Sequence, residues 1–487
     1  MRASCGSPRG PAIGKYTKMK QKISSWICAG CLLAGTALAQ SPVTITVDTQ
    51  APGAAIPDDF AGLSFEMQYV LPGTNGTYFF SPKNRPLIAM FKTLGIKNLR
   101  VGGNTADRPG VAVPGPADAD SLFAFAKAAG VKVIYTLRLR QGSAENAVPI
   151  AKYIEQHYPA QLACFAIGNE PDVFTKEYSV YHDEWKKYVA AITAVAPGAK
   201  FCGPCATPTR VAWSPQFADD FAKSGFITCI TQHDYPGGDS RRATNVVAAR
   251  DKMLSPAWLE HYEKFYRAFA AAAVSNSLPY RYDEANSFYN GGAEDVSDTF
   301  ASALWGLDFL HWWAARGANG VNFHTGDKVA ARDMNKPCRY AAFWTSSQGY
   351  NVHPIGYGIK MFELGGQGRV WPLTISNSDA LNLTAYAVRG EGSKLFVTII
   401  NKEHGTAGRG ADLTINAAGI SKRGRVIFLC APDGDVATKT GVTLGGAPIA
   451  DNGSWKGKWM PLEVGKTGQC IVTVPAASAV VVKFLLK

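Results

Sequence analysis

An alternation of short apolar runs with longer amphipathic segments, between about residues 60 and 362, restricts the fold of this chain more than any other feature. The segments between the runs repeat apolar residues at helical spacing, and the runs themselves have the length and content of strands: FAGLSFEM, IKNLRVGG, VKVIYTL, LACFAIGNE, AKFCGP, FITCITQHDY, YRYDEANSF and GVNFHTG. Eight such units predict an α/β fold of the (β/α)8 TIM-barrel type. A doubly wound open sheet is the alternative, but no glycine-rich dinucleotide fingerprint follows the first run.

The pattern changes after the segment GGQGRV. From there on, alternating runs such as KLFVTIIN and SAVVVKFLL are separated by Gly, Asn, Asp and Lys, and long helical periodicity is missing. These features are typical of an antiparallel β-sandwich. We therefore predict a catalytic barrel over 59–364 and a C-terminal β-sandwich domain over 365–487. The run VTITVD, within 40–58, is predicted to be an N-terminal strand that joins the sandwich.

The N-terminal 1–39 segment has the pattern of a signal peptide. Basic residues precede an apolar stretch, and small residues offer a cleavage site near Ala39. The first 18 residues contain no acid and indicate a mis-assigned start, with Met19 as the true one. A lipoprotein processed at Cys31 is the weaker alternative. The mature protein is expected to be secreted or periplasmic, and no later stretch is apolar enough for a membrane span.

Charge and cysteine content limit the classes of partner and scaffold. Residues 1–39 contain six basic and no acidic residues, so cleavage reduces the formal charge from +12 to +6. The remaining excess forms no basic run, which argues against nucleic-acid binding. Cleavage also leaves seven cysteines, an odd number that argues against a disulfide-stapled scaffold. The redox-like motif FCGPC (Cys202 and Cys205) is interpreted as part of a strand. The sequence does not decide whether Cys430 and Cys470 form a disulfide.

Polar residues at the predicted strand ends define the candidate site, because the carboxyl ends of barrel strands share one mouth. Strands four and seven lie across that mouth and end in Glu170 and Glu284. Two carboxylates that face one bond are the requirement of glycoside hydrolysis, in which one protonates the leaving oxygen and the other attacks or stabilises the anomeric carbon. The other strand-end candidates are Glu66, Gly103, Asn104, Asn169, His233, Tyr235, Asp283 and His324.

The motifs IGNEPDVF, YRYDEANSFYNGG and LRVGGNTADR resemble glycoside hydrolase family 79, which contains heparanases and microbial β-glucuronidases. The similarity covers about 43–487. It implies a retaining exo-β-glucuronidase without a cofactor, in which Glu170 is the acid/base and Glu284 the nucleophile. It also implies that Asn169 holds the sugar 2-hydroxyl, and that the pocket for the terminal uronic acid is lined by Glu66, Asn104 and Tyr289.

Several neighbouring residues receive individual predictions. Tyr235 is placed to touch the nucleophile, and His233 is a weaker candidate beside it. Asp283, adjacent to Glu284 on a strand, is expected to point to the opposite face and to be structural. The loop after the eighth strand departs from the glycine- and tyrosine-rich family pattern, so the uronate contact is assigned to Tyr289, with further candidates in this loop: His324, Lys328 and Arg332. The eight histidines are scattered and predict no metal site.

Two alternatives stay open at this stage. The first keeps the enzyme class but changes its mode or sugar, to an endo-acting heparanase-like hydrolase, an arabinofuranosidase or a xylosidase. The second is a carbohydrate-binding barrel without activity, which is disfavoured because both glutamates are present. In each case the expected partner is a carbohydrate, and no membrane is involved after signal cleavage.

Overall fold

Eight parallel strands form a closed barrel in chain order, which confirms the predicted fold class. The computed structural model describes residues 41–329, 336–377, 379–465 and 468–487, so the predicted signal peptide and Arg332 lie outside the described residues. Strand β1 (Ser41–Val47) precedes the barrel. The barrel strands are β2 (Ala61–Glu66), β3 (Asn98–Gly102), β4 (Lys132–Leu137), β5 (Leu162–Ile167), β6 (Phe201–Ala206), β7 (Ile227–Asp234), β8 (Tyr280–Ala285) and β9 (Gly320–His324).

Helices surround the barrel and connect its strands. Helix α1 shows how the sequence sets their limits, since the Asn84 side chain caps its start and Gly95, at φ 73°, ends it in the left-handed conformation. Within the described part of the chain, no helix is long and apolar enough to cross a membrane. The helices are α1 (Arg85–Leu94), α2 (Pro116–Ala129), α3 (Ala144–His157), α4 (Tyr178–Val195), α5 (Trp213–Phe221), α6 (Val246–Leu254), α7 (Ala257–Phe265), α8 (Ala271–Ser275), α9 (Phe300–Ala315) and α10 (Pro354–Gly365).

The remaining strands form a hairpin and two further sheets. The hairpin strands β10 and β11 follow the barrel, and every later strand lies in one of the sheets. One sheet has the order β13-β1-β16-β20, and the other has the order β12-β14-β15-β21-β17-β18, with β19 paired to β17. The strands are β10 (Phe343–Ser346), β11 (Gly349–Val352), β12 (Arg369–Trp371), β13 (Leu373–Ser376), β14 (Leu383–Gly390), β15 (Lys394–Asn401), β16 (Ala411–Ala417), β17 (Ile420–Cys430), β18 (Thr443–Leu444), β19 (Met460–Glu463), β20 (Gln469–Val474) and β21 (Ser478–Leu486).

The two sheets enclose a common apolar core, as a sandwich requires. Strand β1 lies inside the smaller sheet, antiparallel to β13 but parallel to β16. Alternate residues of β16 and β20 are buried, so one face of each strand meets the core. Cys430 and Cys470 lie in different sheets, and Cys470 is a free, buried thiol, so the two are not bridged.

The larger sheet also packs on the barrel through α9 and α10. Its second face contributes Ile400 and Val481 to the main core. Asp308 of α9 forms a buried polar link to the sandwich, where it accepts from Lys402 Nζ (2.9 Å) and from the Tyr386 hydroxyl (2.7 Å). The link satisfies a charge that would otherwise be costly to bury. The residues that line the cleft at the barrel mouth, as far as the structure describes it, come from the barrel strands and the loops after them.

Candidate active site

Glu170 is positioned by a sharp turn at the end of β5. Gly168 has φ 81°, and Glu170 itself has φ 45°, a conformation that is unfavourable for a residue with a side chain. The Glu170 amide donates to the Cys205 carbonyl (3.0 Å), which ties the turn to β6. Burial raises the pKa of the Glu170 carboxyl, and the nearby Glu284 carboxylate adds to this, while His233 opposes it in part. A carboxyl with a raised pKa is suited to be a general acid.

Glu284, near the end of β8, lies in the opposite electrostatic environment. Arg100 Nη1 donates to its Oε2 (2.5 Å), and the Tyr235 hydroxyl donates to its Oε1 (2.8 Å). Burial raises the pKa of Glu284, but the positive charges of His324, His233 and Arg100 and the bond from Tyr235 lower it by more, so the net pKa is well below the usual range. Glu284 is therefore held as a carboxylate.

Arg100 is a site residue that the sequence analysis missed. It is fully buried on β3, and its guanidinium reaches two other strands and the turn after β5, donating to Ser64 Oγ (3.2 Å), Glu284 Oε2 (2.5 Å) and Asn169 Oδ1 (2.7 Å). The available signal was a single arginine inside the apolar run NLRVG, because a charge in a fully buried strand needs a partner. The bond to Asn169 also orients the amide next to Glu170.

His233 and Asp283 form a layer directly beneath the two glutamates. His233 Nδ1 lies 3.0 Å from Glu170 Oε1, and its Nε2 lies 3.6 Å from Asp283 Oδ1. The prediction that Asp283 points to the opposite face was wrong, since its Oδ2 lies 3.7 Å from Arg100 Nε inside the barrel. Register irregularities where β8 pairs with β7 and β9 break the simple alternation of side chains. Burial lowers the pKa of His233, but the surrounding carboxylates raise it by more, so the ring is cationic.

Glu66 and His324 lie at the side of the site formed by β2 and β9. Glu66 Oε2 accepts from the Thr105 amide (2.8 Å) and hydroxyl (2.7 Å), and His324 Nε2 lies 3.5 Å from Glu66 Oε1. Gly103 packs behind Glu66. Gly103 has φ 63°, and a Cβ at this position would lie 2.5 Å from the Glu66 carboxyl carbon. Only glycine therefore allows the backbone to come this close to Glu66.

These glutamates line a cleft of about 700 Å³ at the barrel mouth. Of the predicted residues, Asn169 and His233 are buried; His233 contacts Glu170, and Asn169 accepts from Arg100. The cleft is lined by Glu66, Asn104, Glu170, Asp172, Val173, Lys176, Thr207, Pro208, Thr209, Arg210, Tyr235, Gly238, Glu284, Tyr289, Asn290, Gly291, His324, Val329 and Tyr340.

The loops after β8 and β9 form one wall of the cleft. Tyr289 is 41% exposed and its ring lies 6.3 Å from that of Tyr235. Lys328 is exposed and pairs through its backbone with Pro337, whereas its neighbour Val329 lines the cleft. Tyr340, which the sequence analysis missed, is buried in the same wall with its ring 6.0 Å from that of Tyr235.

Glu170, His233 and Glu284 also meet the distance requirement for a cation, with one ligand atom from each within 4.8 Å of the others. The electrostatics oppose this use. The Arg100 guanidinium, 2.5 Å from Glu284 Oε2, is a fixed positive charge that would repel a metal ion. A cationic His233 has no free lone pair for a metal. The group therefore fits proton transfer better than metal binding.

The fold and the facing carboxylates define the class of protein as a barrel glycoside hydrolase. Two solved structures share the fold. A 4-O-α-L-rhamnosyl-β-D-glucuronidase from Fusarium oxysporum has a TM-score of 0.68 and 19% identity, covering 90% of this chain and 99% of that one. A family 51 α-L-arabinofuranosidase from Bifidobacterium longum has a TM-score of 0.65 and 15% identity, covering 92% and 100%.

The family resemblance rests on the sequence. Residues 385–481 match the glycosyl hydrolase family 79 C-terminal beta domain. A β-glucuronidase from Aspergillus niger is 26% identical over 253 residues, which are 46% of this chain and 45% of that protein, so the match spans less than half of the relative. The predicted resemblance to family 79 is thus confirmed, and the chain carries the family's C-terminal β-domain.

Proposed function

We propose that the protein is a retaining exo-β-glucuronidase that removes terminal β-linked glucuronic acid from glycans or glucuronides. The observation that carries this proposal is the pair Glu170 and Glu284, with one oxygen of each within 4.8 Å and with opposite pKa shifts. Retaining enzymes hold their two carboxyls about 5–5.5 Å apart, and inverting enzymes need about 6.5–9.5 Å to admit a water. The short separation supports attack by Glu284 itself.

In the first step, Glu284 attacks the anomeric carbon while Glu170 protonates the leaving oxygen. Arg100 and Tyr235 keep Glu284 ionised and fix both of its oxygens. Bond formation then removes the Glu284 charge that raises the pKa of Glu170, while the cationic His233 remains. The pKa of Glu170 should therefore fall, which suits its second role as the base that activates water.

Asn169 is assigned to the sugar 2-hydroxyl. Its Oδ1 accepts from Arg100 Nη2 (2.7 Å), and its backbone amide donates to Asp107 Oδ2 (2.6 Å). With the carbonyl oxygen engaged, the amide NH2 is the group left to donate to a substrate. Such a bond is able to strengthen as the anomeric centre becomes positive, which gives it a role in the transition state.

Tyrosine hydroxyls on one wall of the cleft support a preference of the enzyme for glucuronate. A carboxylate that enters a narrow site loses hydration and needs hydrogen-bond donors. The hydroxyls of Tyr289 and Tyr340 are donors of this kind, and the His324 ring lies 5.9 Å from that of Tyr340. The curated relative's name, β-glucuronidase, supports the same sugar.

We expect p-nitrophenyl β-glucuronide to be cleaved at least about tenfold better than the β-glucoside, a difference of about 1.4 kcal/mol in transition-state stabilisation. Tyr289→Phe should narrow this gap mainly by slowing the glucuronide. The measurement is kcat/KM for both glycosides, with Tyr266→Phe, in the outer helical layer, as the matched control. Preference for the glucoside or for an arabinofuranoside would overturn the uronate assignment and leave the two glutamates in place.

An endo-acting mode is the second candidate. A depression of about 620 Å³ adjoins the cleft and shares Asn290 and Val329 with it, so a longer chain has room beyond the sugar that is cleaved. Product analysis on an oligosaccharide ending in glucuronic acid separates the modes. An exo enzyme releases free glucuronic acid, whereas an endo enzyme releases oligosaccharides first. Export of the protein, based on the signal-peptide pattern alone, is part of the proposal.

The pH profile should report the charge of His233. The cationic ring lowers the pKa of both Glu170 and Glu284, so its removal raises both. The acid limb of kcat/KM follows ionisation of Glu284 and the alkaline limb follows loss of the Glu170 proton. In His233→Gln, we expect both limbs to move to higher pH. A lower rate with unshifted limbs would contradict this assignment and leave His233 a packing residue.

A further inference from the structure

We propose that Asp107, in the loop after β3, is a positioning residue that holds Glu170 in the geometry for proton transfer. This role rests on the proposed function, which makes Glu170 the acid. Asp107 belongs to the motif LRVGGNTADR, in which only Gly103 and Asn104 received predictions from the sequence. Its carboxylate contacts the backbone of the turn that carries Glu170, so it acts through that turn rather than on the sugar.

The turn that carries Glu170 needs support from outside itself. Gly168 and Glu170 both have a positive φ, 81° and 45°. A glutamate is strained in this conformation, and such strain persists only where the surrounding structure over-determines the backbone. The direction of the Glu170 carboxyl depends on this backbone conformation, so the contacts that hold the turn also aim the acid.

Asp107 connects this turn to the end of β4 through three backbone amides. Its Oδ2 accepts from the Asn169 amide (2.6 Å), directly before Glu170. Its Oδ1 accepts from the amides of Leu139 (2.6 Å) and Arg140 (2.8 Å), and the residue is 5% exposed. Burial raises the pKa of the Asp107 carboxyl, and the bonds from the three amides oppose this rise, so they favour the ionised form. One side chain thus fixes the turn to a neighbouring strand.

The loop that presents Asp107 is itself fixed by Arg138, which follows β4. The Arg138 guanidinium donates to the carbonyls of Ala106 (2.8 Å) and Val111 (2.8 Å), which lie on either side of Asp107 in the chain. A planar guanidinium with several donors fixes two points of a loop at once. Asp107 is therefore held in a defined place, as a residue that positions another must be.

The other side of the turn has a separate set of contacts. Asp172 follows Glu170 in the chain, and its carboxylate accepts from the Thr207 amide (2.9 Å) and hydroxyl (2.5 Å), which fixes this side to the end of β6. The Glu170 amide donates to the Cys205 carbonyl (3.0 Å). Because none of these bonds involves Asp107, its loss should displace the acid without unfolding the turn.

The test is Asp107→Asn. The new side chain can keep its oxygen on the amides of Leu139 and Arg140, which places its NH2 group against the Asn169 amide, so that two donors face one another. We expect kcat/KM to fall about 10- to 100-fold on phenyl β-glucuronide, whose leaving oxygen needs a proton, because a small displacement of a catalytic group is costly. On dinitrophenyl β-glucuronide, which needs no proton, kcat/KM should fall less than about threefold.

A matched control and a double variant separate positioning from a purely structural role. Asp118 also accepts from a backbone amide, that of Gly115 (2.8 Å), and from the Tyr78 hydroxyl (3.0 Å), but at the start of the outer helix α2. Asp118→Asn should therefore leave the ratio between the two substrates unchanged. In Glu170→Ala, the addition of Asp107→Asn should cause no further loss on phenyl β-glucuronide, because no acid is left to position.

Equal losses on the two substrates, or losses that multiply in the double variant, would make Asp107 a packing residue and overturn the inference. Glu170→Ala alone reports the proposed function, since a loss that does not depend on the leaving group would mean that Glu170 is not the acid. A dependence in Glu170→Ala without one in Asp107→Asn would contradict the positioning role alone. If Asp107→Asn does not fold, Asp107→Ser, which leaves room for a water to accept from the amides, is tested in the same way.

Discussion

Glu284→Gln is expected to reduce kcat at least about 10⁴-fold, or about 5.5 kcal/mol of transition-state stabilisation, on every glycoside that the wild type cleaves. The amide is nearly the same size; its oxygen still accepts from Arg100, and its NH2 group donates to the Tyr235 hydroxyl oxygen, so the fold should persist. It cannot, however, form the covalent glycosyl bond, and among the cleft residues that the structure describes Glu284 is the carboxylate that Arg100 and Tyr235 fix in this position. Steady-state assays on the p-nitrophenyl glucuronide measure this loss.

The matched control is Glu391→Gln, in the exposed turn between β14 and β15, which should keep the wild-type rate. Thermal unfolding of both variants separates chemistry from folding. A Glu284→Gln enzyme that retains a tenth of the wild-type rate while folded would show that another group is the nucleophile. A slow-turnover intermediate trapped on Glu284 by a 2-fluoro glucuronide would support the assignment directly, by the mass of the modified peptide.

Glu170→Ala should give the second-largest effect, and one that depends on the leaving group. We expect about 10²- to 10⁴-fold loss in kcat/KM on natural glycosides, which need a proton at the leaving oxygen, but little loss on a dinitrophenyl glucuronide, which does not. For the activated substrate, kcat should fall instead, because the second step also lacks its base. The comparison therefore needs kcat and kcat/KM for both substrates.

Azide is expected to restore activity to the same variant, Glu170→Ala. The cavity left by the missing carboxyl admits a small anion that needs no base, so azide should raise kcat for the activated substrate and yield a β-glucuronosyl azide. The β configuration of that product would also establish retention. Glu170→Gln, the isosteric variant, should resist rescue because it leaves less space. Equal loss on activated and unactivated substrates, without rescue, would mean that Glu170 is not the acid.

Much of the fold and the two central glutamates can be predicted from local sequence patterns. The strand and helix periods identify the barrel, because each strand must bury apolar residues and each helix must cover it. The positions of Glu170 and Glu284 also follow from sequence, since both stand where an apolar run ends, and a barrel brings all such ends to one mouth. The family motifs add the chemical roles of the two residues.

The residues that give the two glutamates different pKa values are distant from them in the sequence. Arg100 contacts Glu284 across 184 positions of chain, and Tyr340 reaches the cleft from a loop whose sequence departs from the expected pattern. The alternation of side chains along a strand predicted the wrong direction for Asp283, because β8 is irregular in register with both of its neighbouring strands. Lys328, a candidate by its charge, is exposed and is not among the residues that line the cleft, whereas its neighbour Val329 is.

The sequence by itself thus determined the architecture and the two carboxylates, because both depend on periodicity and on where strands end. Only the tertiary structure decided that the pKa of Glu170 is raised and that of Glu284 lowered. That difference comes from side chains several strands apart: His324, His233, Arg100 and Tyr235 together lower the pKa of Glu284, and burial raises that of Glu170. A pKa depends on distance and desolvation in space, and neither quantity is written in the spacing of residues along the chain.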